Sequence, residues 1–177
     1  MKQKTCCFTG PPPQSLPWKF QEQDPRCQRL KERLREEIIC MILQNGVCHF
    51  ISGMALGVDT WAAELVRKLK TQYPITLECA KPYEEQAACW TEGARDRWFS
   101  IVERCDNETV LQMRYTPNCM RKRNRYIIDH SDYVIAVWNG TPSGTGMTVT
   151  YARVHGKSFV CIQPQISSAV APLRQCV

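Results

Sequence analysis

Apolar positions recur along this chain in two alternating rhythms: short unbroken runs, and longer stretches in which every third or fourth position is apolar. Runs at residues 4–9, 48–51, 75–79, 109–113, 133–138 and 159–162 have the length and content of buried strands. Between them, helical spacing predicts helices over residues 25–45, 58–72, 84–105, 118–130 and 146–155. In the first helix Cys27, Leu30, Leu34, Ile38 and Met41 share one face, Arg29–Glu32, Glu32–Arg35 and Arg33–Glu37 can pair outside, and Asn45-Gly46 gives the stop. Trp61, Leu65 and Leu69 mark the inner face of the second helix, which Pro74 stops. Ala94, Trp98, Ile101 and Cys105 mark that of the third. Pro11, Pro12, Pro13 and Pro17 force an irregular loop after the first strand, because proline removes donors and blocks helix.

Strict alternation of strand and helix, with strands apolar on both faces, implies a parallel sheet covered on both sides. Right-handed crossovers then make an α/β, Rossmann-like, doubly wound and mainly parallel sheet with helices on both faces. The pattern extends over residues 1–163 as one domain; residues 164–177 show no periodicity and read as a loosely ordered tail.

Composition narrows the function classes. The longest apolar run, residues 133–138, is far short of the roughly 20 residues that span a bilayer. The apolar segment after Met1-Lys2-Gln3-Lys4 is too short for a signal peptide, so a soluble cytoplasmic protein without a membrane partner is expected. The eleven cysteines are odd in number, scattered and without a CxxC pair, which argues against zinc ribbons, thioredoxin chemistry and a disulfide framework. Cys6, Cys7, Cys40, Cys48 and Cys161 lie in apolar runs, as reduced structural thiols do. The three histidines, His49, His130 and His155, lack metal-ligand spacing; neither a metal nor a cofactor is expected, and no GxSxG elbow occurs. A net charge of +6 is concentrated in Arg114, Arg121, Lys122, Arg123 and Arg125, a stretch free of acids that favours a phosphate-bearing partner.

Ligands of such sheets bind beyond the carboxyl ends of the strands. Three loops fall there: residues 9–18, 52–60 and 139–148. In the second, an apolar strand runs through Ser52 into Gly53 and Gly57, and a helix begins at once behind them. Asn139-Gly140-Thr141-Pro142-Ser143-Gly144-Thr145-Gly146-Met147-Thr148 repeats the layout of strand, glycines, hydroxyls and helix start. Glycine lets a backbone approach an anion, and helix N-terminal amides supply donors and positive dipole. Neither loop has GxGxxG or GxxxxGK[ST] spacing. Each alone reads first as a tight turn in which Asp59 or Thr148 caps its helix. Together with the basic helix they favour a phosphate site.

Ser52-Gly53-Met54-Ala55-Leu56-Gly57-Val58-Asp59 resembles the SGxAxGID signature of DprA, the DNA-processing protein that binds single strands. The C-terminal half is similar to the LOG phosphoribohydrolases, with Arg123-Asn124 at their Arg-Lys motif, then His130-Ser131-Asp132, and residues 142–148 at their PGGxGTxxE loop. Both belong to the SLOG superfamily. To about residue 163 the pattern resembles its YpsA-like bacterial family of unknown function, through residues 4–10, 52–61 and 119–126. Two positions depart from these patterns. Pro11-Pro12 stands where the family continues His-Arg after Gly10, removing a charged pair that could meet a ligand. Thr148 stands where the hydrolases carry an active-site glutamate, and a threonine lacks the charge that glycosidic cleavage calls for.

The resemblance implies a nucleotide or nucleotide-derivative binding module, sensory or regulatory, with self-association left open. Gly10, Ser52, Gly53, Gly57, Asp59, Gly144, Thr145 and Thr148 would form its phosphate site. Arg123 would neutralise the phosphate and Asn124 would bond sugar or base. Two other functions stay open. One is a nucleoside-monophosphate N-glycosidase in which Asp59 or Glu64 replaces the glutamate. The other is single-stranded nucleic acid binding by residues 121–125, with Trp18 or Trp61 as stacking surfaces.

Overall fold

The computed structural model describes residues 3–164. Six strands form one parallel sheet: β1 (Lys4–Thr9), β2 (Val47–Ser52), β3 (Thr76–Lys81), β4 (Asn107–Val110), β5 (Tyr133–Val137) and β6 (Ser158–Ile162), in the order β4-β3-β2-β1-β5-β6. The helices are α1 (Pro25–Asn45), α2 (Val58–Leu69), α3 (Glu92–Val102), α4 (Cys119–Asp129) and α5 (Gly144–Val154). The chain builds outward from β1 to β4, then returns through α4 to lay β5 on the other side of β1. The switch in strand order therefore lies at β1, between β2 and β5.

Alternation along each strand sorts the core onto two faces. Phe8, Phe50, Leu77, Ile135 and Val137 join a large cluster with Leu30, Leu34 and Ile38 of α1, Trp61 and Val66 of α2, and Trp98 and Ile101 of α3. Their neighbours Cys7, Ile51, Ala80 and Val134 point the other way, into a smaller cluster with Ile127 and Ile128 of α4 and Ala152 of α5. This is the doubly wound α/β arrangement expected.

Local chemistry sets the helix ends. Asp24 accepts the Arg26 amide ahead of Pro25, and Gly46 closes α1 with φ +71°. Several boundaries differ from the sequence expectation. The third helix begins at Glu92 rather than residue 84 and ends at Val102, because Thr91 accepts the Ala94 amide and caps it while residues 84–90 fold as turns. Ser143 caps α5 through the Gly146 amide, starting it at Gly144, so Thr148 lies inside the helix and caps nothing. β4 starts at Asn107, where it pairs with Glu78 of β3. Beyond Pro164, the expected tail lies outside the described residues.

The loop after β1 is packed down. Pro13, Leu16 and Trp18 are buried, and Glu22 fastens its far end by accepting from Lys31 of α1 at 2.5 Å and from Arg97 of α3 at 2.5 and 3.1 Å. Arg97 also donates to Glu64 of α2 at 2.5 and 2.7 Å. Partial burial pushes the Glu22 carboxyl up, but hydrogen bonds from Arg97, Lys31 and Trp61 prevail and hold it at about 2. A carboxylate depressed in the folded state stabilises above its ordinary range and loses that contribution as pH falls toward the folded value. Glu22→Gln is therefore expected to cost about 1–2 kcal/mol at pH 7 in urea unfolding, allowing for its partial exposure. The difference from the parent should shrink between pH 5 and pH 2.

Candidate functional site

The three loops picked out by sequence meet at the carboxyl ends of β1, β2 and β5. Gly10 follows β1 and lies against the first residue of α2, where a Cβ would lie 2.6 Å from Val58 Cγ2. At the end of β2, Ser52 donates its hydroxyl to the Asp59 carbonyl at 2.8 Å and accepts the Met54 amide at 3.1 Å. Met54 is fully buried with φ +56°, a left-handed conformation that L-residues adopt at a cost of about 1–2 kcal/mol. Gly57, with φ +90°, precedes α2 and packs against Pro13. No side chain caps α2 at Gly57.

Arg123 occupies the centre. It projects from α4 into the fold, 5% exposed, and donates through Nη1 to the Gly53 carbonyl and to Asp59 Oδ2 at 3.5 Å. A Cβ on Gly53 would meet that Nη1, so a side chain there would displace the guanidinium from its place. Asp59, 7% exposed, also accepts the Ala55 amide at 3.3 Å and so closes the glycine loop on itself. Burial pushes the Asp59 carboxyl up and the Arg123 guanidinium down, each opposed by attraction to the other. Desolvation outweighs attraction for both partners, so the pair fixes position more than it adds stability.

The same arginine reaches the third loop. Arg123 Nε donates to Asn124 Oδ1 at 2.8 Å, Asn124 Nδ2 donates to Thr148 Oγ1 at 3.1 Å, and Thr148 donates to the Gly144 carbonyl at 3.0 Å. Gln86, in the turns after β3, donates to the Gly53 carbonyl at 3.3 Å and ties a fourth segment to the site. Gln86 had no signal in the sequence, where residues 84–91 read as helix. Thr145, 7% exposed, and Gly144 stand in the first turn of α5, and open space surrounds the position of a Gly144 Cβ.

The structure thus unites Gly10, Ser52, Gly53, Gly57, Asp59, Arg123, Asn124, Gly144, Thr145 and Thr148, but gives Arg123 a different part from the one expected. Its guanidinium is enclosed and committed to protein acceptors, so it ties loops together rather than standing open to an anion. Trp18 and Trp61 are each 2% exposed, so neither offers a stacking surface. Each of His130 and His155 follows a helix, with Nδ1 2.8 Å from the carbonyl of the tyrosine four residues earlier, and His49 lies between Thr76 and Glu78. Among the described residues no three His, Cys, Asp or Glu side chains gather as a metal site, and no helix is long and apolar enough to cross a membrane.

Removing one member of the buried pair leaves the other charge uncompensated. Arg123→Met is expected to destabilise by about 3–5 kcal/mol at neutral pH, and Arg123→Met/Asp59→Leu by less than the sum of the single changes. A buried carboxyl whose folded pKa is raised stabilises below its ordinary range and loses that contribution as pH rises. The Arg123→Met deficit should therefore be smaller at pH 4.5 than at pH 8 in denaturant melts, and a pH-independent deficit would contradict this account.

Comparison with known proteins agrees with this architecture. A sequence model of the YpsA family, described as the YspA SLOG family, matches residues 6–158. The SPbeta prophage-derived protein YoqJ of Bacillus subtilis (strain 168), itself uncharacterized, is 31% identical over 144 residues, spanning 74% of this chain and 84% of that protein. The UPF0398 protein BH1768 of Halalkalibacterium halodurans is 32% identical over 121 residues, 64% of each chain. Among solved structures, DNA processing protein A (DprA) from Streptococcus pneumoniae has a similar fold, with TM-score 0.60 and 16% identity, covering 90% of this chain and 50% of that one. DprA from Helicobacter pylori, whose structure addresses its single-stranded DNA binding mode, gives TM-score 0.59 and 20% identity over 89% of this chain and 64% of that one. These likenesses carry the fold, and the match to residues 6–158 carries the family: this chain belongs to the YpsA family of SLOG proteins.

Proposed function

We propose that this protein binds a nucleotide or nucleotide derivative at the carboxyl ends of β1, β2 and β5, and acts as a binding module rather than a hydrolase. The observation that carries this reading is the joining of two glycine-bearing strand-to-helix turns, after β2 and after β5, by the chain Gly53–Arg123–Asn124–Thr148. The turns lead into α2 and α5 on either side of the switch in strand order, where α/β sheets take ligands. With Arg123 enclosed, the phosphate is held by the amides and dipoles of two helix starts and by hydroxyls such as Thr145. Binding without cleavage follows from the chemistry at residue 148. Thr148 is 5% exposed, its hydroxyl is bonded on both sides, and it cannot supply the charge of a carboxylate.

The test is differential scanning calorimetry against nucleoside mono-, di- and triphosphates and dinucleotides. A ligand at 100 times its Kd adds about 2.7 kcal/mol, which for a domain of this size raises Tm by roughly 5–10 °C. Gly144→Leu places a side chain in open space at the start of α5. It should leave the ligand-free Tm within about 2 °C of the parent and abolish the shift. Release of free base from a nucleoside monophosphate during incubation would replace this reading with glycosidase activity.

A further inference from the structure

A pair of tyrosines beside the glycine loop has no part in the contacts described above. Tyr83 stands two residues beyond the end of β3, and Tyr115 lies in the segment that leads from β4 into α4. Their rings meet edge to face, with centroids 5.6 Å apart and planes at 79°. Tyr115 is 63% exposed, and Met113 and Met120, two and five residues away, are 72% and 39% exposed. A core would bury such side chains, yet here they face solvent at the end of the sheet where ligands bind.

The segment is held in shape from within. Gln112 Nε2 donates to the Arg114 carbonyl at 2.7 Å and to Thr116 Oγ1 at 2.9 Å, and Lys122 Nζ donates to the Leu111 carbonyl at 3.0 Å. Tyr115 is therefore presented by an ordered loop. Its partner is stitched to the phosphate site: the turns carrying Tyr83 also carry Gln86, whose amide holds the Gly53 carbonyl. Neighbouring strands lie about 4.8 Å apart, so the end of β3 is roughly 10 Å from the end of β1. A nucleoside monophosphate has that reach between phosphate and base. Gln86 is 4% exposed, and its Oε1 has no hydrogen-bond partner among the described residues. It is an unpaired acceptor on the side chain that holds the Gly53 carbonyl, and a sugar hydroxyl or a base N–H has the chemistry to satisfy it.

We infer that Tyr83 and Tyr115 form a base-stacking subsite, so that the ligand is a nucleoside phosphate recognised through its aromatic base as well as its phosphate. This rests on the binding reading above and adds the part of the ligand that is read. Stacking on an exposed tyrosine is tolerant of base identity, because every base offers a π-face.

The experiment is isothermal titration of the full chain with the four common ribonucleoside 5′-monophosphates and with ribose 5-phosphate, which shares their sugar and phosphate but has no base. At least one nucleotide should bind about 10- to 100-fold more tightly than ribose 5-phosphate. Tyr115→Ala, a change at an exposed position, should reduce that nucleotide to the affinity of ribose 5-phosphate and leave ribose 5-phosphate itself unchanged. Tyr115→Phe should restore the preference. Equal affinity for nucleotides and ribose 5-phosphate overturns the subsite while leaving the phosphate site standing. So does a Tyr115→Ala variant with unchanged nucleotide affinity, including one whose only change is its oligomeric state by light scattering. Absence of binding by every one of these ligands overturns the subsite, and absence of a thermal shift with the di- and triphosphates and dinucleotides as well overturns the phosphate site with it.

Discussion

The arrangement of the site depends on one buried guanidinium. Arg123 enters from α4 and meets the Gly53 carbonyl, the Asp59 carboxylate and the Asn124 side chain, joining elements that lie 64 and 70 residues away in sequence. A charge so enclosed must be matched, because an uncompensated ion in the interior costs several kcal/mol. The matching constrains everything around it. A side chain at residue 53 would displace the guanidinium, Asp59 turns back from the first turn of α2, and α4 brings Arg123 to the end of β2. The left-handed Met54 fits the same frame: the turn it occupies is closed by Ser52 on one side and Asp59 on the other. Strain of this kind persists where surrounding contacts over-determine it.

Enclosing the arginine shifts the source of positive potential from side chain to backbone. The starts of α2 and α5 contribute about half an elementary charge each, fixed in direction and unable to swing away. Asp59 tempers this less than its position in α2 suggests, since its carboxylate faces Arg123 and the Ala55 amide. The exposed cations of α4, Arg121, Lys122 and Arg125, line a separate open groove of about 440 Å³ along the flank of that helix. The basic cluster of the sequence therefore divides: one member is buried as a structural tie, and the others are spread over a neighbouring surface.

The strands and most helix ends were legible because they rest on local chemistry. Unbroken apolar runs mark strands covered on both faces, and Asp24-Pro25 and Asn45-Gly46 bracket α1. The loops of the site were legible as glycine-bearing turns for the same reason. The use of their residues was not. Nothing near Arg123 in sequence announces its ion pair with a carboxylate 64 residues away, so it reads as one cation among five. Trp18 carries no periodicity that would place it in the core, and its burial follows from packing of the proline-rich loop. Residues 84–91 have helical composition, but Gln86 is drawn to the Gly53 carbonyl and Thr91 is the better cap, so tertiary contact overrides propensity. Tyr83 and Tyr115 lie 32 positions apart and meet only because β3 and β4 are neighbours.

The threonine at residue 148 bears on more than the absence of a carboxylate. It sits one turn into α5, donating to the Gly144 carbonyl and accepting from Asn124. A glutamate there could not donate to that carbonyl, and its charge would stand beside the positive end of α5. A negative group in that place satisfies the dipole from within. Threonine leaves the dipole unanswered and still completes the hydrogen-bond chain back to Arg123.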